Sequence, residues 1–369
     1  MIKILFFIET LKAGGAEKVM IDLVNHMDQT KFDITVQTVW PCDASKYLVS
    51  GIRYKSTYSA KNRINRLRYR FEAEAGILYR LHIKDDYDIE CAYLEMGPTK
   101  VMSASTNKKA KKLAWVHCDL SKKTCDVDAF VSKSEKQYRR FDEIVCVSEN
   151  VLDSFQRLFG AEVPARVLHN VVEDDVIREK STAPLPAGLW KRRLTVATLG
   201  RLTHQKGYDI LLKVHDRLRR EGFDYDLWIA GEGEDRITLE RFIADHDLAD
   251  SAKLLGFQDN PYPILAAADL LVCSSRYEGL STFVTEGLIL GKPIVTTDCT
   301  GMRELLGDSE YGMITVMSED ALYNGVKVML ESEALRRQYE KKAEQRGRDF
   351  STDRLVQETE TYFMKLAGK

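Results

Sequence analysis

The chain has 369 residues, 44% hydrophobic and 30% charged, with 22 glycines and 8 prolines; this is the composition of a globular protein of about two domains and excludes disordered, collagen-like and low-complexity chains. The 54 Lys+Arg and 56 Asp+Glu leave a net charge of -2, with residues 1–180 at +3 and residues 181–369 at -5, so no overall field draws the protein to nucleic acid. The 7 cysteines (Cys42, Cys91, Cys118, Cys125, Cys146, Cys273, Cys299) are odd in number and contain no Cys-x-x-Cys pair, which gives neither a disulfide framework nor a zinc knuckle and fits a reducing cytoplasmic setting.

The opening apolar run 2–8 is broken by Lys3 and stopped by Glu9. It is too short to span a membrane, lacks a small-residue cleavage pattern, and reads as a first buried strand. Met20, Leu23, Val24 and Met27 follow at helical spacing within 17–27. Further Val/Ile/Leu-rich runs at 33–39, 89–94, 112–116, 144–147 and 167–169 have the near-continuous apolar character of parallel strands buried on both faces. Pro184, Pro186 and Gly188 mark 181–191 as a linker. The strand pattern restarts at 194–199, 225–230, 253–257, 269–273, 293–297 and 312–316, with helices between, and 334–366 reads as helix throughout. Two such βα series predict an α/β protein of two doubly wound domains facing a central cleft, with ligand at the carboxyl ends of the strands.

The most informative segment runs from Ser274 to Pro293. It leaves a strand at Cys273, turns at Glu278-Gly279-Leu280, and enters a helix whose first turn holds Ser281 and Thr282. A helix N-terminus at a strand's carboxyl end is a ready phosphate site, and Glu278 and Glu286 are carboxylates able to accept hydrogen bonds from vicinal sugar hydroxyls; a capped surface helix with ordinary acidic residues fits the spacing equally well. Arg201 and Lys206, just past the strand 194–199, are placed to neutralise a diphosphate in the manner of a metal ion. Gly14-Gly15, at the start of the first helix, permits close backbone approach to a phosphate or simply a tight turn. His117, at the carboxyl edge of strand 112–116, is positioned to hydrogen-bond a sugar hydroxyl. Gly231, Gly233 and Phe257 follow strands of the second half and suit a pocket for a flat base, or core-supporting turns. No third glycine completes a dinucleotide fingerprint, because position 236 is Arg. Asp126-Val127-Asp128 reads as solvated charge, since no strand precedes it. In 61–85, Ile64, Leu67, Phe71, Ala75, Leu78 and Leu81 keep helical spacing beside Arg63, Arg66, Arg68 and Arg70. Such a helix either packs its stripe on the core with a solvated basic face or lies on an anionic membrane.

The segment from Glu278 to Glu286, with Gly291-Lys292-Pro293 after it, resembles the Glu-x7-Glu signature of glycosyltransferase family 4, retaining enzymes of the GT-B architecture. Gly200-Arg201-Leu202, Lys206-Gly207, Gly231-Glu232-Gly233 and Leu255-Gly256-Phe257 occur before it in the family's order. The resemblance implies a Rossmann-like acceptor domain at 1–180, a nucleotide-sugar donor domain at 190–345, and a C-terminal helix, 346–369, returning to the first. It implies catalytic roles for His117, Arg201, Lys206 and Glu278. Donor binding falls to Gly14, Gly15, Gly231, Gly233, Phe257, Gly279, Leu280, Ser281, Thr282 and Glu286, with Glu286 on the ribose. The donor expected is a UDP-sugar, GDP being the alternative, with no metal and no other cofactor. The acceptor expected is a glycan or lipid-linked molecule at the inner face of the cytoplasmic membrane, touched peripherally through helix 61–85. Val171-Val172-Glu173 follows Asn170 where the family shows Asn-Gly-x-Asp, which removes support for a ligand role of Asn170. An epimerase or hydrolase on the same fold, or a non-catalytic nucleotide-sugar-binding protein, is the other reading.

Overall fold

Ile4 to Ile8 are each fully buried, so the first strand is covered on both faces, as a central strand of a parallel sheet must be. The computed structural model describes residues 1–11, 14–123 and 126–368, which leaves Cys125 outside the described residues. The chain divides into two units, Met1–Val172 with Thr352–Lys369, and Glu173–Ser351. In the first, β1 (Ile2–Ile8), β2 (Phe32–Thr38), β3 (Arg53–Ser56), β4 (Ile89–Ala92), β5 (Lys111–Val116), β6 (Glu143–Cys146) and β7 (Ala165–Val167) form a parallel sheet in the order β3-β2-β1-β4-β5-β6-β7. The helix Thr352–Leu366 closes this unit's core: the Phe363 ring lies 6.1 Å from Phe6, 6.3 Å from Phe32 and 6.1 Å from Trp115.

In the second unit β8 (Leu194–Leu199), β9 (Tyr225–Ala230), β10 (Ala252–Gly256), β11 (Leu270–Cys273), β12 (Ile294–Thr297) and β13 (Met313–Thr315) form a parallel sheet in the order β10-β9-β8-β11-β12-β13. Leu212 and Leu218 pack with Leu227, Ile229 and Val272 in its core. Both orders reverse direction beside the first strand of their sheet, the switch point at which doubly wound folds bind ligands.

The structure adds to the sequence reading at three places. β3 carries Arg-Tyr-Lys-Ser at the sheet edge and is only partly buried, so it has no apolar run to announce it. The division falls at Val172, ahead of the 181–191 linker, because the helix Asp174–Ser181 buries Ile177 fully and accepts a bond from Asn260 Nδ2 at the Lys180 carbonyl (3.0 Å) within the second unit. That unit also keeps the chain to Ser351, past the expected 345. The segment 61–85 is two helices, Arg63–Glu74 and Leu78–His82, interrupted at Gly76, whose φ is +68°. No helix among the described residues is long and apolar enough to cross a membrane.

His215 is fully buried, with Nε2 2.8 Å from the Ser251 hydroxyl, and burial lowers its pKa to about 3. The unfolded chain binds a proton there near 6.5; the native state is therefore stabilised above that pH, and the contribution is lost as pH falls from 6.5 toward 3. The unfolding free energy from urea titration should fall between about pH 7.5 and about pH 5 by about 2 kcal/mol less in His215→Gln than in the wild type.

Candidate active site

β8 and β11 are neighbours, which sets the loops leaving their carboxyl ends side by side. Hydrogen bonds fasten one loop to the other: Arg276 N–H donates to the Gln205 carbonyl at 2.7 Å, the Gln205 amide to the Tyr277 carbonyl at 3.0 Å, and the Ser274 hydroxyl to the Lys206 carbonyl at 2.8 Å. The Arg276 guanidinium reaches the His204 carbonyl at 2.7 Å and both Asp209 carboxylate oxygens at 2.9 and 2.7 Å. The result is a largely buried ion pair. Lys206 Nζ donates to Glu278 Oε1 at 2.6 Å, and the Ser275 hydroxyl donates to the same oxygen at 2.6 Å. Burial works against the ammonium, but the Glu278 carboxylate outweighs it and the Lys206 pKa is raised; the cation is permanent at neutral pH. Arg201 is exposed on the same loop and forms no ion pair among the described residues.

Backbone contact between loops accounts for the glycines. Gly207 has φ +66°, and a Cβ there would lie 2.1 Å from the Ser274 carbonyl oxygen. A Cβ at Gly231 would lie 1.9 Å from the Gly200 carbonyl oxygen, and one at Gly233 2.2 Å from that of Leu202. Gly231 and Gly233 thus bring the β9 loop onto the β8 loop, the turn-supporting alternative left open by the sequence. Phe257, past the end of β10, is 61% exposed and presents its ring to solvent.

The helix Thr282–Ile289 begins directly after Glu278-Gly279-Leu280, with Ser281 as its cap accepting from Val284 N–H at 3.4 Å. Its first-turn amides and dipole favour an anion there. Leu280 is buried, and Glu286 lies on the buried second turn, where the Tyr262 hydroxyl donates to it at 3.3 Å.

In the first unit, β5 delivers His117 beside Tyr93, ring centroids 5.0 Å apart. Buried Glu95, past the end of β4, accepts from His117 N–H and Cys118 Sγ, each at 3.2 Å, and pairs with Lys123. Burial favours the neutral acid, but Lys123 and His117 overcome it and hold Glu95 at about 2. Burial lowers His117 to about 4, so its imidazole is neutral at pH 7, and Nε2 has no hydrogen-bond partner among the described residues. Met96, next to Glu95, holds φ 69°, a strained value for a non-glycine residue of the kind found at functional sites. Gly14 and Gly15 begin the helix Gly15–His26; the two residues before them lie outside the described residues. Asp126 caps the helix Val127–Tyr138, accepting from Ala129 N–H at 2.9 Å. Among the described residues no group of three or more His, Cys, Asp or Glu is arranged to hold a metal ion.

Residues 186–346 match the family model described as glycosyl transferases group 1, and residues 13–176 match that of glycosyltransferase family 4. Between them the two models account for most of the chain. The chain belongs to glycosyltransferase family 4. Among its relatives, the N-acetylgalactosamine-N,N'-diacetylbacillosaminyl-diphospho-undecaprenol 4-alpha-N-acetylgalactosaminyltransferase of Campylobacter jejuni is 29% identical over 217 residues, 58% of this chain and 58% of that protein. The lipopolysaccharide core biosynthesis glycosyltransferase LpsE of Rhizobium meliloti is 28% identical over 63% of this chain and 66% of its own. The matched region thus spans less than two thirds of each relative. Anabaena HepE, solved in complex with UDP and glucose, superposes with a TM-score of 0.79 at 17% identity, over 99% of this chain and 100% of that one. That likeness fixes the fold as GT-B.

For this family 4 member, sequence reasoning marked Lys206, Glu278, Glu286 and His117 but missed the groups that hold them: Ser275, Gln205, Tyr262, Glu95, Lys123 and the Arg276–Asp209 pair. Ser275 and Arg276 lay inside the highlighted segment, and Glu95 is the first residue after the predicted strand 89–94. The glycines separate packing from ligand approach. Gly231→Ala should destabilise the second unit by about 2 kcal/mol or more, because its Cβ meets backbone. Gly14→Ala first meets the flexible Glu17 side chain among the described residues and should cost under about 0.5 kcal/mol. Denaturant titration of both variants checks the contrast.

Proposed function

We propose that this chain is an active glycosyltransferase that moves a sugar, with retention of anomeric configuration, from a UDP-sugar to a glycan or lipid-linked acceptor in cell-surface polysaccharide or glycolipid synthesis. The observation that carries the reading is the buried Lys206–Glu278 pair at the carboxyl end of β8, immediately before a capped helix N-terminus. When the bond from the anomeric carbon to the diphosphate oxygen breaks, negative charge builds on the leaving group. Lys206, Arg201 and the Ser281 helix end meet that charge without a metal or other cofactor. Glu278 accepts hydrogen bonds from sugar hydroxyls, Glu286 from the ribose, and Phe257 stacks on the base. Gly279, Leu280 and Thr282 offer backbone groups at the same turn. Within the first unit, neutral His117 offers its unpartnered Nε2 to a hydroxyl.

The UDP assignment is supported by the UDP and glucose bound in Anabaena HepE, and the acceptor class by the names of the Campylobacter and Rhizobium relatives. A membrane-borne acceptor makes this a peripheral protein of the inner face of the cytoplasmic membrane. Melting-point shifts with UDP, GDP and ADP test the donor site, since a ligand of the native state raises the melting temperature with its concentration. UDP should stabilise the wild type and not Glu286→Ala. Stabilisation by GDP alone would reassign the nucleotide, and no shift with any of the three would overturn the donor site.

A further inference from the structure

The helix Arg63–Glu74 is seated the wrong way round for a core helix. Its buried residues are Glu72 and Ala73, whereas Ile64, Leu67 and Phe71 are 70%, 59% and 70% exposed. The buried side is held by polar contacts. Glu72 accepts from the Tyr58 hydroxyl at 2.6 Å, lies 2.8 Å from His82 Nε2, and pairs with Arg68 at 3.2 Å. Asn62 caps the helix, accepting from Asn65 N–H at 2.9 Å, and Glu74 pairs with Lys100. Burying a carboxylate while three large apolar side chains face solvent runs against the ordinary preference by several residues at once, and such a departure marks an interaction surface.

The spacing identifies what the surface meets. Ile64, Leu67 and Phe71 stand at i, i+3 and i+7 and make one stripe along the helix; Arg63, Arg66 and Arg70 repeat the same spacing one position earlier and make a second stripe beside it. All three arginines are exposed, and none forms an ion pair among the described residues, unlike Arg68. The next helix, Leu78–His82, adds exposed Leu81 and Arg80. A protein partner or a second copy of this chain would have to supply carboxylates against an unbroken row of arginines. An anionic lipid leaflet supplies negative charge everywhere as phosphates, above hydrocarbon that accepts the apolar stripe.

We propose that the helix Arg63–Glu74 is a membrane-docking surface that lies flat on an anionic bilayer, with Ile64, Leu67 and Phe71 entering the acyl boundary and Arg63, Arg66 and Arg70 at the level of the phosphates. This rests on the reading of a membrane-borne acceptor for its purpose, but its chemistry is independent of the donor site. Docking brings the enzyme to the two-dimensional surface in which a lipid-linked acceptor is confined.

Co-sedimentation of the full chain with vesicles of equal parts phosphatidylglycerol and phosphatidylcholine, against vesicles of phosphatidylcholine alone, tests it. Binding should be confined to the anionic vesicles and weaken with salt. Each basic side chain near such a leaflet contributes about fivefold in affinity, so R63Q/R66Q/R70Q should lose binding by about a hundredfold, and I64S/L67S/F71S by about tenfold or more. Both variants alter exposed positions and should keep the wild-type melting temperature and its shift with UDP. Absent vesicle binding, or binding that both variants retain, overturns the proposal and leaves glycosyl transfer standing. A wild-type dimer that I64S/L67S/F71S converts to monomer, with no vesicle binding, makes the surface a self-association face and also overturns it. Vesicle binding without any UDP shift would instead remove the donor-site reading and leave the docking surface in place.

Discussion

A lysine ammonium buried against one carboxylate is the constraint around which the second unit is arranged. Removing both charges from water costs several kcal/mol per ion, and their mutual attraction offsets this only when geometry and further hydrogen bonds are good. Lys206 and Glu278 are 72 positions apart in the chain, so the geometry must come from the loops that carry them. Parallel pairing of β8 and β11 supplies the first approximation, and the Arg276, Gln205 and Ser274 bonds supply the rest. Loops held that tightly touch through their backbones, which is why a side chain is missing at Gly207. In the proposed reaction the pair is a store of preorganised charge: a diphosphate shares Lys206, and the Glu278 oxygen it releases turns to sugar hydroxyls.

The first unit repeats the device with different members. Glu95 follows β4, Lys123 lies 28 positions on, and the carboxylate that pairs with the lysine also accepts the backbone amide of His117. The paired charges cancel locally, while burial keeps the neighbouring imidazole neutral. A neutral histidine with an unpartnered ring nitrogen can hydrogen-bond a hydroxyl without adding charge to the site. Each unit thus places an acid–base pair on the loops past the carboxyl ends of its strands, Lys206–Glu278 in the second and Glu95–Lys123 beside His117 in the first.

Much of this was legible in the chain. The bounds of β8 and β9 match the runs 194–199 and 225–230, because strands covered on both faces are apolar apart from Thr195, Thr198 and Asp226. The edge strand β3 was not legible, since Arg53 and Lys55 give it the appearance of a loop. Glu278 and Lys206 could be marked individually from strand ends and family spacing, but their pairing depends on which strands adjoin, and strand order is not written in local periodicity. The helix Arg63–Glu74 shows the limit of pattern reading most clearly: Ile64, Leu67 and Phe71 announce an amphipathic helix, and only the position of Glu72 among Tyr58, Arg68 and His82 tells which face is inward.

The most direct measurement of the central claim is the dissociation constant of UDP, by titration calorimetry, for the wild type, Glu278→Gln and Lys206→Met. If the buried pair is a cation held ready for a diphosphate, removing the competing carboxylate leaves Lys206 available, and Glu278→Gln binds UDP as tightly as the wild type or more so. Lys206→Met then loses about tenfold or more, the scale of a charge-assisted hydrogen bond. Equal losses in both variants would contradict the account, because the pair would then be structural support for the loops and not the site of the diphosphate.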